Sequence, residues 1–336
     1  MADKANERTD AKARYETLKI DRNEVLRQAR EASRMTIPGL IPEEGSSDPH
    51  AVTEQPYSSA GSRFVNHLSA KLLVTLFPPE RPFFRLDIGA DVAAEMGAEL
   101  AEAQAVLWDI SRRAMILAEE SSSRTIWMET LRHLVVAGNA MVHQPDDGSQ
   151  MRMWRLDQFV ATRGRNGLIQ EAVMVDKVLP SELKEEVIKA CEIDYDPLKP
   201  EKNEKVDIYT HVYTEGEQMH HYEAINNKEV PGSRGVVARE KTGWQFLRWQ
   251  AVPGSDYGRS HVAEYAGDFL SYGDASRSIL QFAIEAARII RIVDPNSGID
   301  VEELASAESG DFLTGMRDRI STLQLDKNSD FRIVWD

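Results

Sequence analysis

Between residues 260 and 291, small and apolar side chains recur at helical spacing: Val262, Tyr265, Ala266, Phe269, Ile279, Leu280, Ala283, Ala287 and Ile290. Glu264, Asp268, Asp274, Arg277, Glu285 and Arg288 read as the opposite face. The pattern predicts one long amphipathic helix, with Gly254 and Gly258 marking a loop before it. Ser260 is placed to cap it, because a hydroxyl can accept from an orphan backbone N–H. Glu264 in the first turn, and Arg288 and Arg291 near the end, suit the helix dipole. Asp294-Pro295 stops the run. At about 1.5 Å per residue the rod would be roughly 45 Å long. Gly267 and Gly273 weaken it by up to about 1 kcal/mol each relative to alanine.

The rest of the chain mixes helical and strand patterns. Residues 8–35 read as a charged helix with a narrow seam of Tyr15, Leu18, Val25, Leu26, Ala29 and Ala32. A seam this thin suggests packing against one neighbouring element or another subunit. Ile37-Pro38-Gly39 stops it, and residues 40–56 form a loop rich in Pro, Ser and Gly. A second helix spans 58–76, with Ala60, Phe64, Leu68, Leu72 and Leu76 four apart, and Pro78-Pro79 ends it. Residues 82–88 alternate and predict a strand. Helices follow over 93–118 and 124–137, the second closed by Gly138-Asn139, which tolerate the left-handed conformation of helix ends.

Strands are predicted over 140–144, 151–156, 159–163 and 168–178, with Gly-Arg-Asn-Gly at 164–167 as a hairpin turn. Ser181 caps a short helix over 181–191, and a polar connector spans 194–205. Residues 206–214 and 219–225 read as a second hairpin across Glu215-Gly216, and 244–249 as one more strand. After the long helix come strand-like pieces at 312–314, 320–325 and 331–335. They carry too little apolar material for a core of their own. This piece should be stable only when packed against something else, for example the same piece in a neighbouring subunit.

Composition is that of a globular protein, and the mixed helix and strand patterns make its class α+β. A length of 336 residues leaves room for two or three domains. Apolar residues at 42% and charged residues at 28% are globular values. The net charge of −15 argues against a reader that grips duplex DNA tightly. It leaves open a wall past which DNA slides, since acidic surfaces repel phosphates and keep them mobile. The single cysteine, Cys191, allows no internal disulfide and fits a reducing compartment. No apolar run approaches the ~18 residues of a membrane span, and the polar N-terminus lacks a secretory core. The expectation is a protein made in a cytoplasm, not exported by a signal peptide, with no membrane partner.

Candidate chemistry is sparse. His220, His221 and Glu223 suggest a metal site, and His211 lies across the proposed hairpin. Adjacent strand residues point to opposite faces, so His220 and His221 cannot share an ion. A metal-dependent nucleic-acid-processing enzyme built on His211, His220 and Glu223 is the alternative reading. Asp146-Asp147 reads as a solvated turn. No phosphate-cradling loop ending in Lys-Ser or Lys-Thr is present, and no Gly-x-Ser-x-Gly elbow. Trp244, Phe246 and Arg248 could stack on nucleic acid, but their alternation, with Trp249 opposite, fits a sheet core better. Neither catalytic residues nor a cofactor is expected.

Order and spacing of several segments carry a resemblance over more than 300 residues. These are TIPGLIP, LSAKLLVTLFPP, LRHLVVAGNAMV, VDIYTHVY, YGRSHVAEYAGD and ESGDFLTGMRDRISTLQLDKNSDF. Together the chain resembles the portal, or head-to-tail connector, proteins of short-tailed phages of the autographivirus type. The resemblance implies a structural protein of the virion, one of twelve subunits in a ring at one capsid vertex. Double-stranded DNA would enter and leave through that ring without sequence-specific contact. Implied partners are sister subunits, the major capsid protein, a scaffolding protein, a transient terminase motor, internal core proteins and a tail adaptor.

It further implies that residues 1–256 belong to the wing, 257–291 to the first stem helix and 292–336 to the clip. Family members continue into a second stem helix, a channel loop and a crown, which this chain lacks. In such a ring Ala283, Ala286, Ala287, Phe269 and Ile279 would pack between stem helices. Arg277, Glu285, Arg288 and Arg291 would face the channel or pair with a neighbour. Asp311, Phe312, Arg317, Asp318 and Arg319 would meet the tail adaptor.

Overall fold

The computed structural model describes residues 10–45, 55–79, 83–120, 123–145, 149–196, 204–286, 290–293, 320–325 and 331–333. The chain divides into two units, residues 1–269 and 270–336. In the first, helix α1 (Ala11–Met35) starts at Asp10, whose carboxylate accepts from the Ala13 N–H at 3.1 Å. Strands β3 (Phe159–Arg163), β4 (Ile169–Val178), β5 (Val206–Glu215), β6 (Gln218–Ile225) and β7 (Lys228–Glu229) pair in that order, antiparallel throughout. Strand β8 (Gly235–Ala238) also pairs with β6.

Alternation sorts this sheet into two cores. Phe159, Ala161, Ala172, Met174 and Val212 face one side, with Leu26 and Ala29 of α1 in the same cluster. Val160, Val173, Tyr209 and Tyr222 face the other, against Ala11, Tyr15 and Leu18. Helix α1 thus contributes to both cores, and Arg22 lies where its seam passes from one to the other.

Strand β1 (Asn139–His143) sits between β2 (Arg152–Trp154) and β9 (Trp244–Arg248) in a second sheet. Met141, Trp154, Trp244 and Phe246 bury against the Phe159 side of the larger sheet. Helices α2 (Ala60–Leu76) and α5 (Ser123–Ala137) pack together, with Val65, Val135 and Val136 fully buried. A Cβ on Gly61 would overlap the Met35 carbonyl, so this glycine lets α2 approach the end of α1.

Several expectations need correction. Residues 83–89 are irregular, not a strand. Among the described residues no strand lies alongside to pair them; the alternating side chains instead pack locally, Phe83 edge-on to Phe77 at 5.1 Å. The Leu86 N–H bonds the Ser111 hydroxyl of α4 at 3.1 Å. The helix expected over 93–118 is α3 (Ala90–Met96), a 3-10 turn and α4 (Leu100–Glu120), broken where Gly97 takes φ +51°. Ser181 caps nothing: it lies in a 3-10 turn, and α6 (Glu185–Ala190) begins after Lys184 without a side-chain cap.

The helix expected over 260–291 differs most. A short α7 (His261–Glu264) stops at Tyr265, and α8 (Ala266–Ala286) continues from there. Ile290 already belongs to strand β12 (Ile290–Val293). That strand pairs with β13 (Ile320–Leu325), which pairs with β14 (Phe331–Ile333). Residues 312–314 lie outside the described residues.

Candidate functional site

The functional candidate is the segment from Tyr257 through α8, and its root is built with unusual care. Strands β10 (Gln250–Ala251) and β11 (Gly258–Arg259) pair at its start. Helix α5 ends at Gly138, with φ +73°, where a Cβ would lie 2.5 Å from the Ser260 nitrogen. Only glycine allows this contact. The next residue, Asn139, is fully buried and acts as a two-way bracket. Its Oδ1 accepts from the Gly258 N–H at 2.7 Å, and its Nδ2 donates to the Gly258 carbonyl at 2.9 Å and the Ala137 carbonyl at 3.1 Å. The Tyr257 hydroxyl accepts the Ala161 N–H at 3.0 Å, tying the same segment to β3. Burial pushes the Tyr257 hydroxyl up to about 12, so it remains a neutral phenol.

Ser260 then caps α7, accepting from the Ala263 N–H at 2.9 Å, as its sequence position implied. Val262 is fully buried with Ala32, Val65, Val135 and Val136. His261 stacks on Phe64 at 5.7 Å and meets Trp249 and Tyr265. Phe269, expected between subunits, is half-buried within its own chain, edge-on to Phe64 at 5.8 Å.

Beyond Phe269 the helix changes character. No residue of α8 is buried. Leu270, Tyr272, Ile279 and Ile284 are 57%, 56%, 68% and 70% exposed, and Leu280 and Phe282 are also exposed. Ser271, Asp274, Ser278, Gln281 and Glu285 form a polar stripe at spacings of three and four. The apolar surface is therefore broader than the single face expected from sequence. Ala283, Ile279, Arg277 and Glu285 are exposed and Ala286 is half-exposed. Arg291 is on strand β12, opposite Thr322, and not on the helix. Ala287, Arg288, Asp311, Phe312, Arg317, Asp318 and Arg319 lie outside the described residues, as do Asp146 and Asp147.

The alternative metal site is not assembled. Cross-strand register pairs His211 with Tyr222, His220 with Tyr213 and Glu223 with Thr210. His211 and His220 share a face, and Glu223 is on the other. Among the described residues no group of three or more His, Cys, Asp or Glu side chains could hold a metal. His211 is instead spent on structure, its Nε2 2.9 Å from Glu171 and its Nδ1 3.0 Å from the Tyr222 hydroxyl. Arg14 clasps the same carboxylate with two 2.7 Å hydrogen bonds. Burial alone would raise the Glu171 pKa; the bonds from His211 and Arg14 prevail and hold it at about 2.

Trp244 and Phe246 are core residues, Trp244 stacked on Trp154 at 5.6 Å and Phe246 edge-on to Phe159 at 5.3 Å. Cys191 is buried, which pushes its thiol up and away from nucleophilic character. Among the described residues no helix is long and apolar enough to cross a membrane.

A family model described as "Bacteriophage head to tail connecting protein" matches residues 8–334. The portal protein of Escherichia phage T7 is 32% identical over 334 residues, covering 96% of this chain and 61% of that protein. The portal protein of Enterobacteria phage T3 is 32% identical over 332 residues, with the same coverage, 96% and 61%. That of Pseudomonas phage phiKMV is 28% identical over 308 residues, covering 88% of this chain and 59% of its own length. The chain thus spans about three fifths of the length of the curated relatives it matches.

Proposed function

This chain belongs to the family of bacteriophage head to tail connecting proteins, and on that premise we propose that it is a structural portal component of the virion, not an enzyme. Copies of it form a ring at one capsid vertex, twelve in number. The ring is a conduit for double-stranded DNA during packaging and ejection. Sister subunits are the first partners; capsid, scaffold, terminase, internal core and tail adaptor proteins are the others. Residues 1–256 serve as wing, the helices α7 and α8 as the first stem element, and the segment after them as clip.

The observation that carries this reading is the uncovered shaft of α8. A helix that is apolar over most of its circumference belongs in an interior, yet among the described residues only its root is packed. Neighbouring stem helices supply the missing cover, with Ala283 and Ala286 allowing close approach and Ile279 filling the gap. Arg277 and Glu285 then set the register between neighbours or line the channel. The acidic balance of −15 suits a channel wall that DNA does not stick to.

Electron microscopy and sedimentation velocity on the purified protein test the proposal. Closed rings with a central hole are expected. Particles that stay monomeric or dimeric under all conditions overturn it.

A further inference from the structure

A partly open cavity of about 890 Å³ lies along α1, with Asp157 and Lys177 on its far side. Six basic side chains line it: Lys19, Arg22, Arg27, Arg30, Arg34 and Lys177. Four of them have carboxylate partners. Lys19 meets Glu16 at 3.3 Å, Arg27 meets Glu24 at 2.7 Å, Arg34 meets Glu43 at 2.5 Å, and Arg30 reaches Glu44 at 3.5 Å. Among the described residues Arg22 and Lys177 have none. Asp157, which could have served, is held by Arg155 at 3.1 Å.

Arg22 is only 2% exposed. Its Nη1 donates to the Tyr15 hydroxyl at 3.0 Å and to the carbonyls of Leu156, Asp157 and Phe159 at 3.2, 3.0 and 2.9 Å. Its buried Nε has no hydrogen-bond partner. A buried cation surrounded by neutral dipoles is stabilised only in part; an opposite charge completes it. Arg30, whose side chain is 17% exposed, stands two turns further along the same helix face, beyond Leu26. Lys177 approaches from β4.

We propose that this cavity binds a phosphate-bearing anion, with Arg22 as the fixed buried cation and Arg30 and Lys177 closing on it from helix and sheet. Donors arriving from two elements match a tetrahedral oxyanion, which accepts in several directions. The volume falls within the ~300–1,000 Å³ range of small-molecule sites and exceeds what a lone ion fills. The acidic balance of the chain favours a small ligand over a polyanion. This site is independent of the α8 surface and stands or falls without it.

The test is calorimetric titration of the 336-residue chain with pyrophosphate at low salt, and separately with a short DNA duplex. Saturable, salt-sensitive pyrophosphate binding is expected. Lys177→Glu and Arg30→Gln should each weaken it about tenfold or more. Neither touches the Arg22 clamp. Lys177 is exposed, so Lys177→Glu should leave the thermal unfolding midpoint without ligand unchanged; Arg30 also donates to the Pro42 carbonyl at 3.0 Å, so Arg30→Gln should lower it somewhat. Lys189→Glu, on the exposed face of α6, is the control and should bind as the parent does. Duplex binding that the same substitutions abolish would also support the site and would make a polymer the source of the phosphoryl group. No binding of either probe, or binding that both substitutions leave intact, overturns the proposal.

Discussion

Acid should weaken the first unit through two histidines before it reaches the carboxylates, with buried His133 the larger contributor and half-buried His221 lowered in the same direction by burial. His133, on α5, is 4% exposed, and its Nδ1 has no hydrogen-bond partner. Burial, then the positive charges of Arg155 and Arg132, lower its pKa from 6.5 to about 3. The native value lies below the unfolded one, so the unfolded chain binds the proton more readily. The associated stability is fully present above about pH 6.5 and is lost as pH falls toward 3. Between about pH 7 and pH 5 the loss works out at roughly 2 kcal/mol. That figure hardly depends on the native value, provided it stays below about 4, because the unfolded state does the titrating. Urea unfolding followed by tryptophan fluorescence at the two pH values measures it. His133→Leu removes the titrating group and leaves no buried polar atom behind, so the variant should fold and lose that part of the pH dependence. An equal loss of stability in parent and variant over this interval would refute the reasoning.

Two other positions give sharp expectations. Asn139→Ala strips the Gly258 N–H and carbonyl of their partners in a fully buried site. It should cost about 2–3 kcal/mol in urea unfolding and speed hydrogen exchange at the start of α7, while an exposed change such as Ser278→Ala costs little. Glu171→Gln leaves Arg14 and His211 without the carboxylate they share. It should cost up to about 3 kcal/mol near neutral pH. The parent's advantage should persist above about pH 4.5 and disappear as pH falls toward 2, because the native carboxyl titrates lower than the unfolded one.

Strand periodicity was legible where both faces of a sheet are covered. The run from Phe159 to Arg163 alternates between two cores, and its bounds match the expectation. Gly138 and Ser260 were legible because turn and cap chemistry is local. Tertiary pairing decided the failures. Ile290-Arg291-Ile292-Val293 continues the helical spacing of α8, but its β-branched residues also suit a strand, and β13 is there to pair with it. Residues 83–88 alternate in sequence, have no partner strand among the described residues and stay irregular. Two structural residues carried more than the sequence pattern conveyed: Arg22 drew no expectation, and Asn139 only that of a helix end. Arg22 sits four residues from both Leu18 and Leu26, on the apolar seam of α1. Asn139 interrupts the apolar run from Leu134 to Val142. A lone polar residue at a core position marks a group with buried partners to find. Their partners, Leu156 to Phe159 for one and Gly258 for the other, are more than a hundred residues away and leave no local trace.

The width of the apolar arc on α8 bears on how many neighbours the helix needs. At about 100° per residue, Phe282, Ile279, Tyr272, Ala283, Leu280, Ile284 and Leu270 sweep roughly two thirds of the circumference, with Arg277 set between Ile284 and Leu270 near one edge. One partner helix covers a stripe of about 100°. A two-fold dimer would therefore leave much of this arc in water, whereas a ring presents every helix to one neighbour on each side through a head-to-tail interface. Leu270 and Ile279, nine residues apart, point in opposite directions from the helix axis. Both are exposed within the chain, so Leu270→Lys and Ile279→Lys should each leave the unfolding midpoint of the first unit unchanged. In the proposed ring each one breaks a different side of the same repeated contact, and each alone should stop closure in sedimentation velocity. A two-fold contact on one face would be lost in one variant and retained in the other, and that asymmetry would refute a ring built on this helix.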